Sequence, residues 1–405
     1  MINRPTAEDE AFMAEALRLA QRIPRRPWPN PPVGAVVVRD GAIVGRGAHL
    51  GAGTPHAEVL ALEEAGRLAR GATLYCTLEP CNHAGRTPPC APRVVQSGVA
   101  AAVIGVADPN PGVAGGGLAL IRDAGIDVKI GAMGTAALDL IWPFASTRAF
   151  ARPFVLLKTA CSLDGCFSAG RQSPEEHAVP MYLTGNEARR DVHRLRRWAD
   201  LVLVGEGTAA TDRPRLDGRL VREDDECPAS EPMPAYVDTD LSFEGDWRQE
   251  RFYVFAGERV PLLPRARLAR HGATVVLCRE RDGRVAPEAL LDEALSRGVW
   301  SILLEGGPTL AATFLNRGLV DRWVCYTAPV VIGRGVRWPE QGVGQDPLDE
   351  GHRFYLTNMA QFGSDVRMVF DRLSFQEVLE SLTSRVAEDR QRHSGRVGDV
   401  HGDRS

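Results

Sequence analysis

Residues 77–90, TLEPCNHAGRTPPC, place Cys81 and Cys90 on either side of a turn built from Gly85, Pro88 and Pro89. Upstream, residues 55–62 read PHAEVLAL, a proline and a histidine leading into a helical pattern with Glu58 two positions after His56. Zinc takes soft or borderline donors in a tetrahedral array, and a catalytic zinc keeps three protein ligands and one open position. His56, Cys81 and Cys90 supply that set. If His56 opens a helix, Glu58 reaches the open position without being a ligand. Cys81 directly follows Pro80 at a strand end, where a helix N-terminus is expected to help hold a thiolate. Singly, His-Ala-Glu is an ordinary helix surface and two cysteines at this distance are ordinary small buried residues. Jointly they form the H-x-E … P-C pattern of zinc nucleobase deaminases. A structural zinc would need a fourth ligand. His83 is the candidate, but Cys81 beside it crowds the geometry.

Outward from this stretch the pattern alternates between helix and strand. AEDEAFMAEALRLAQR (7–22) has apolar residues at helical spacing, and VGAVVVRDGAIVGRG (33–47) reads as a hairpin turning at Asp40-Gly41. HAEVLALEEAGRLA is helical, GATLYCTLEP a strand, APRVVQSGV a short helix, AAVIGVAD a strand, and GGLALIRDAGIDV a helix leading into a strand. Such alternation predicts a three-layer α/β domain over residues 1–150. The pattern then restarts with RPFVLLKTACSLDG as a strand, NEARRDVHRLRRWA as a helix and DLVLVGEGT as a buried strand. WSILLEGGPTLAATFLNRGLVDRWVCYTAPVVIG closes this second domain, 151–371, as strand, glycine turn, helix and strand. Residues 372–405 are polar and charged, a tail expected to be disordered.

Composition excludes several classes. The 405 residues carry a net charge of −4, which gives no signature of nucleic-acid binding. No stretch approaches a membrane span, and the first residues lack the apolar core of a secretory signal. Eight cysteines in so long a chain do not make a disulfide framework, so reduced thiols and a cytoplasmic location are expected.

PCNHAGRTPPC, with its G-R-T-P-P-C closing turn, together with WPNPPVGAVVV and ADPNPGVAGGG, resembles the bifunctional riboflavin-biosynthesis deaminase–reductase family. The resemblance runs from about Glu8 to Val369 and covers both domains. It implies a cytidine-deaminase-like first domain and a second domain related in fold to dihydrofolate reductase. It also implies one Zn2+ per chain and hydrolytic deamination of 2,5-diamino-6-ribosylamino-4(3H)-pyrimidinone 5′-phosphate. In that chemistry Glu58 takes a proton from zinc-activated water and returns one to the departing ammonia. Asn30 would contact the substrate; read from its own neighbours, it equally caps the PNPP turn. Pro32 stands where the family has a second asparagine, which removes a side-chain and a backbone donor from the pocket.

The resemblance further implies NADPH-dependent reduction of the ribosyl to a ribityl chain. No G-x-G-x-x-G occurs, so the usual dinucleotide fingerprint is missing. In its place LLEGGPTL offers a strand, a Gly306-Gly307 turn and a helix start suited to a diphosphate. KTACSLDG, GEGTAATDRPRL and EGGPTL follow the family motifs in order. By position, Cys161, Tyr182, Thr208, Asp212, Thr239 and the run Gly307, Pro308, Thr309, Leu310, Ala311, Ala312 and Thr313 would line the cofactor. Arg196, Leu216, Arg219 and Glu305 would face the substrate, arginine suiting its phosphate. Arg189, Arg190 and Arg194 read as a solvated helix face. The family's S-x-W-I-T becomes PMYLT here, with Pro180 and Tyr182 after an inserted RQSPEEHA, in which Ser173 is the available hydroxyl. LVDRWVCYTAPVVIG is an apolar strand that could pair across a two-fold axis, which predicts a homodimer or higher homo-oligomer. Two other readings exist: a deaminase whose reductase half is silent or altered, and a binding protein on a zinc-stabilised fold. The latter would have no use for Glu58.

Overall fold

In the computed structural model, residues 4–23, 26–110, 115–169, 182–222, 225, 230–243, 249–339, 353–374, 376–382 and 384 are described. Their contacts divide the chain into two units, Met1–Arg148 with Glu226–Ala229 and Ser374–Ser405, and Ala149–Asp225 with Ser230–Leu373.

Asp40-Gly41 fixes the first hairpin. Asp40 has φ 51° and Gly41 φ 75°, the two left-handed residues that a two-residue turn of matching twist requires. They join β1 (Gly34–Arg39) to β2 (Ala42–Ala48). β1 also pairs antiparallel with β3 (Thr73–Leu78), and β4 (Ala101–Val106) and β5 (Asp127–Ile130) then add in parallel. The order is β2-β1-β3-β4-β5.

Side-chain parity sets the layers. A Cβ on Gly34 would lie 1.9 Å from the Ala16 carbonyl oxygen of α1 (Ala7–Gln21). A Cβ on Gly47 would lie 2.0 Å from the Ala57 carbonyl oxygen of α2 (Ala57–Ala65). Gly47 pairs with Ala35, the neighbour of Gly34, so α1 and α2 pack on opposite faces. Three layers result. α3 (Cys90–Ser97), α4 (Gly116–Asp123) and α5 (Gly134–Phe150) complete the unit. α5 has no counterpart in the sequence reading. Its apolar residues encircle it, leaving no polar stripe to reveal the period, and Pro143 lies inside it.

The second unit begins with β6 (Phe154–Ser162), α6 (Asn186–Trp198), β7 (Leu201–Gly205) and α7 (Glu206–Asp212). β8 (Met233–Val237), β9 (Phe252–Gly257), α8 (Leu262–Arg270) and β10 (Ala273–Cys278) follow. A short hairpin, β11 (Glu280–Arg281) and β12 (Arg284–Val285), leads to α9 (Pro287–Ser296), β13 (Ser301–Leu304) and α10 (Pro308–Asn316). β14 (Arg322–Ala328), β15 (Tyr355–Phe362) and β16 (Asp365–Asp371) end it. The sheet order is β10-β9-β8-β7-β13-β6-β14-β16-β15. Every neighbouring pair is parallel up to β14, and the last two strands are antiparallel. Leu201, Leu203, Ile302 and Leu304 are buried on one face with Phe314 and Leu290. Val202, Val204 and Leu303 are buried on the other with Val254 and Leu268. Both faces are therefore covered, as a parallel sheet needs.

Three expectations are corrected. DLVLVGEGT is not strand throughout, because α7 starts at Glu206. β14 lies between β6 and β16. Its backbone groups are used on both edges, so it cannot pair with a second copy. The tail expected to be disordered from residue 372 is helical over 376–382, with Leu382 buried; residues 385–405 lie outside the described residues.

Candidate active sites

The proximity of Cys81 and Cys90 is built into the backbone. Cys81 carbonyl oxygen accepts from the N–H groups of Cys90 and Ala91, each at 3.0 Å, which caps the first turn of α3. The helix N-terminus therefore sits at Cys90 and not, as expected, at Cys81. His56 is the N-cap of α2 and makes no side-chain cap bond, so its ring is free to turn across the loop. His56 Nδ1 lies 3.0 Å from Cys90 Sγ and 3.6 Å from Cys81 Sγ. Among the described residues these three form a ligand set whose atoms all lie within 4.8 Å of one another. His83 is exposed and stands outside it. Two thiols and one imidazole without a fourth protein ligand fit a zinc that keeps an open position.

The charges fit as well. The Cys81 thiol is held down to about 4, first by the Cys90 thiol donating to it and then by His56, against the opposing effect of burial. Cys90 is pushed up in return. Glu58 follows Ala57 in the first turn of α2 and is only 3% exposed. Burial pushes its carboxyl up, while His56 and Cys90 pull it back. A carboxyl raised in this way and set beside the ligand set is placed to take and return a proton.

A cavity of about 320 Å³ opens beside this set. Asn30 lines it, with Nδ2 2.9 Å from His49 Nε2; no side-chain bond of a turn cap is formed by Asn30 among the described contacts. His49 Nδ1 faces the Pro55 carbonyl oxygen at 3.2 Å, and that oxygen can only accept. The proton of neutral His49 is thus on Nδ1, and its Nε2 accepts from Asn30. Burial keeps this ring neutral by lowering its pKa. Arg86, Asp108 and Arg148 line the same cavity, and the sequence reading gave none of them a role in the site. Burial pushes the Asp108 carboxyl up to about 6. Glu79 accepts from the N–H groups of Asp108, Gly115, Gly117 and Leu118 at 3.1–3.2 Å. It thereby ties Asp108 and the start of α4 to the strand end that presents Cys81.

In the second unit the expected residues gather at the carboxyl ends of parallel strands, where open α/β sheets bind ligands. Cys161 is at the carboxyl end of β6, Thr208 is in the helix after β7, Thr239 follows β8, and Glu305 and Gly307 follow β13. Thr239 Oγ1 accepts from Val285 N–H at 3.2 Å. The half-exposed Tyr182 ring is covered by the Arg189 guanidinium at 4.2 Å. Leu216 is buried and Asp212 exposed, while Arg219 is exposed and pairs with Asp217.

Several assignments change in detail. Gly307 N–H is not free for an anion, since it donates to Thr208 Oγ1 at 3.1 Å. Pro308, the first helical residue, has no N–H. The donors of the first turn are therefore Thr309 and Leu310, following an N-cap, Gly307, that makes no side-chain cap bond, and that end fits a diphosphate. Ala311 and Ala312 are buried in the core and offer a ligand no side chain. Thr313 donates its hydroxyl to Thr309 carbonyl oxygen. Arg196 spends its fork on Glu305, Nε to Oε1 at 2.6 Å and Nη2 to Oε2 at 2.9 Å. Burial pushes the Glu305 carboxyl up, but Arg196, helped by Lys158 and His193, more than cancels this and the net shift is down. Arg190 and Arg194 are not simply solvated, because both pair with Asp225. Lys158, inside β6, went unremarked in the sequence. Burial lowers its pKa, with Glu305 opposing and Arg196 adding to the shift. A lysine in the apolar run FVLLKTA was the available signal. Pro180, Ser173 and the inserted RQSPEEHA lie outside the described residues.

Comparison with known proteins follows the same division. Residues 6–106 match the cytidine and deoxycytidylate deaminase zinc-binding region, and residues 153–368 match the RibD C-terminal domain. The riboflavin biosynthesis protein RibD of Escherichia coli K12 is 36% identical over 377 residues, covering 89% of this chain and 98% of its own. That of Aquifex aeolicus is 33% identical, covering 90% and 98%. The RibD structure from Acinetobacter baumannii aligns with a TM-score of 0.71 at 33% identity, over 90% of this chain and 98% of that one. A deaminase/reductase structure from Thermotoga maritima aligns at 0.72 and 31% identity, with the same coverage.

Proposed function

Since the chain belongs to the RibD family of riboflavin-biosynthesis proteins, bifunctional deaminases and NADPH-dependent reductases, we propose that residues 1–150 carry the deamination and residues 151–371 the reduction. The substrate is 2,5-diamino-6-ribosylamino-4(3H)-pyrimidinone 5′-phosphate. Deamination comes first and reduction of the ribosyl chain second.

The observation that carries the first half is His56 Nδ1 at 3.0 Å from Cys90 Sγ and 3.6 Å from Cys81 Sγ, with Glu58 buried beside them. Zinc held by His56, Cys81 and Cys90 would supply a water made nucleophilic near neutral pH. Glu58 removes the proton from that water and delivers one to the leaving amine. Asn30, oriented by His49, presents the amide atoms His49 does not use to the pyrimidine ring. Arg86 and Arg148 line the cavity and suit the 5′-phosphate.

In the second half, bound NADPH would be the hydride source for the anomeric carbon as that carbon's bond to the ring oxygen breaks. Within the run Gly307 to Thr313, the Thr309 and Leu310 N–H groups would hold its diphosphate at the first turn of α10, and Cys161, Tyr182, Thr208, Asp212 and Thr239 would line the remainder. Arg196 holds Glu305 toward the sugar, Leu216 walls the site, and Arg219 faces the phosphate. Lys158 Nζ, lowered in pKa, gives a proton to the ribosyl ring oxygen as the ring opens.

Metal removal tests the division of labour. A chelator is expected to abolish ammonia release, and added zinc to restore it. NADPH oxidation on the already deaminated compound should continue throughout. Ammonia release that survives complete zinc removal would refute the assignment.

No helix is long and apolar enough to cross a membrane among the described residues, and a cytoplasmic location suits free thiols and NADPH. A homodimer is expected to use the free edge strand β15, where Leu356 and Met359 are exposed. Light scattering at micromolar concentration checks this, and a monomer would refute it.

A further inference from the structure

We propose that Thr87 is the positioning residue for the metal centre. Its hydroxyl accepts the Nε2–H of His56 and so holds the ring in the tautomer whose Nδ1 lone pair faces Cys81 and Cys90. The proposal rests on the zinc assignment above.

A neutral imidazole has one proton to place. His56 Nδ1 faces the two sulfurs at 3.0 and 3.6 Å, so lending that nitrogen to a metal puts the proton on Nε2. That proton needs an acceptor, and Thr87 Oγ1 lies 3.2 Å from Nε2. His49, the other polar ring in reach, packs edge-on against His56 with centroids 4.9 Å apart. It cannot take the proton, because Pro55 engages its Nδ1 at 3.2 Å and Asn30 its Nε2 at 2.9 Å. One ring therefore fixes the plane of His56, and one hydroxyl fixes its proton.

The position of Thr87 in the chain gives the contact its reach. Thr87 lies between the two cysteines, in a loop closed by Cys90 N–H to Cys81 carbonyl oxygen at 3.0 Å. Within the loop its own carbonyl accepts from Gly85 N–H at 3.2 Å. A single short segment thus carries two ligands and the group that aims the third. The threonine of the GRTPPC turn gains a reason that its neighbours do not supply. Pro88 and Pro89 stiffen the segment, but neither can accept from Nε2 through its side chain.

Partners on the outer nitrogen of a ligating histidine fix its tautomer, and their loss typically costs 10–100-fold in metal affinity. Thr87→Val keeps the shape and removes the acceptor, whereas Thr87→Ser keeps the acceptor. Zinc affinity of the full chain, measured by chelator competition, is expected to fall about 10–100-fold in Thr87→Val and to stay near the unmodified value in Thr87→Ser. A measurement without any variant accompanies it. Nitrogen-15 shifts of His56 in the zinc-loaded unmodified chain should show Nδ1 coordinated and Nε2 protonated. Equal affinity of Thr87→Val and the unmodified chain, Thr87→Ser as weak as Thr87→Val, or coordination through Nε2 would each overturn the proposal. An unmodified chain that takes up no zinc would overturn the zinc assignment as well, which separates the two failures.

Discussion

Glu58→Gln is expected to keep its zinc and to release ammonia about 10³-fold more slowly than the unmodified chain, the scale of a lost general acid–base. The reasoning begins with what the side chain touches. Glu58 is outside the ligand set of His56, Cys81 and Cys90, so replacing its carboxylate by an amide of the same size leaves the metal donors in place. The amide cannot accept the water proton and has none to give to the leaving amine. Burial pushes the Glu58 carboxyl up, which places its proton affinity nearer neutral pH than that of an exposed glutamate. Glutamine loses that property altogether. NADPH oxidation on deaminated substrate should be unchanged. Zinc loss in the variant, or turnover within a few-fold of the unmodified chain, would show that Glu58 is a ligand or a bystander.

Gly307→Val should raise the NADPH Michaelis constant by about 10–100-fold, the worth of hydrogen bonds to a charged phosphate. The substitution is a clean one. Gly307 has φ −61° and ψ 172°, extended backbone that valine accepts. A Cβ there meets only Thr208 Oγ1 at 3.5 Å, ordinary contact, so the unit is expected to fold. At Gly306, by contrast, a Cβ would lie 2.8 Å from the Leu310 side chain, and packing would be disturbed before any ligand arrived. The added side chain at the N-cap is expected to crowd the approach of the diphosphate to the Thr309 and Leu310 donors. Ammonia release should be unaffected. Equal loss of both activities would mean that the two units do not work independently.

The metal centre was legible because its chemistry is local. His56 and Glu58 sit two residues apart, Cys81 and Cys90 share one loop, and zinc needs few other donors. Asp40-Gly41 was legible for a similar reason, since two left-handed residues leave a hairpin little choice. The second site was harder. Arg196 looks like a phosphate ligand when only its own helix is read. Its partner Glu305 lies 109 residues away and is brought close by the pairing of β13 with β7. Gly307 reads as a free donor until Thr208, 99 residues earlier, takes its N–H. β14 reads as a strand available to a second copy because sequence shows its apolar face but not that both its edges are used. Lys158 and His49 were harder to single out for another reason. Lys158 is a single polar residue inside β6 and His49 one just after β2, and it is the surrounding burial that gives each a role.

The central claim is that one chain performs both reactions in sequence. The direct measurement supplies purified protein with the diaminopyrimidinone phosphate and follows ammonia and NADPH separately. Without NADPH, ammonia should appear and the ribosyl product should accumulate. With NADPH present, one cofactor molecule should be oxidised for each ammonia released, and the ribityl product should replace the ribosyl one. Ammonia release with no NADPH oxidation, or NADPH oxidation with no ammonia, would contradict the account.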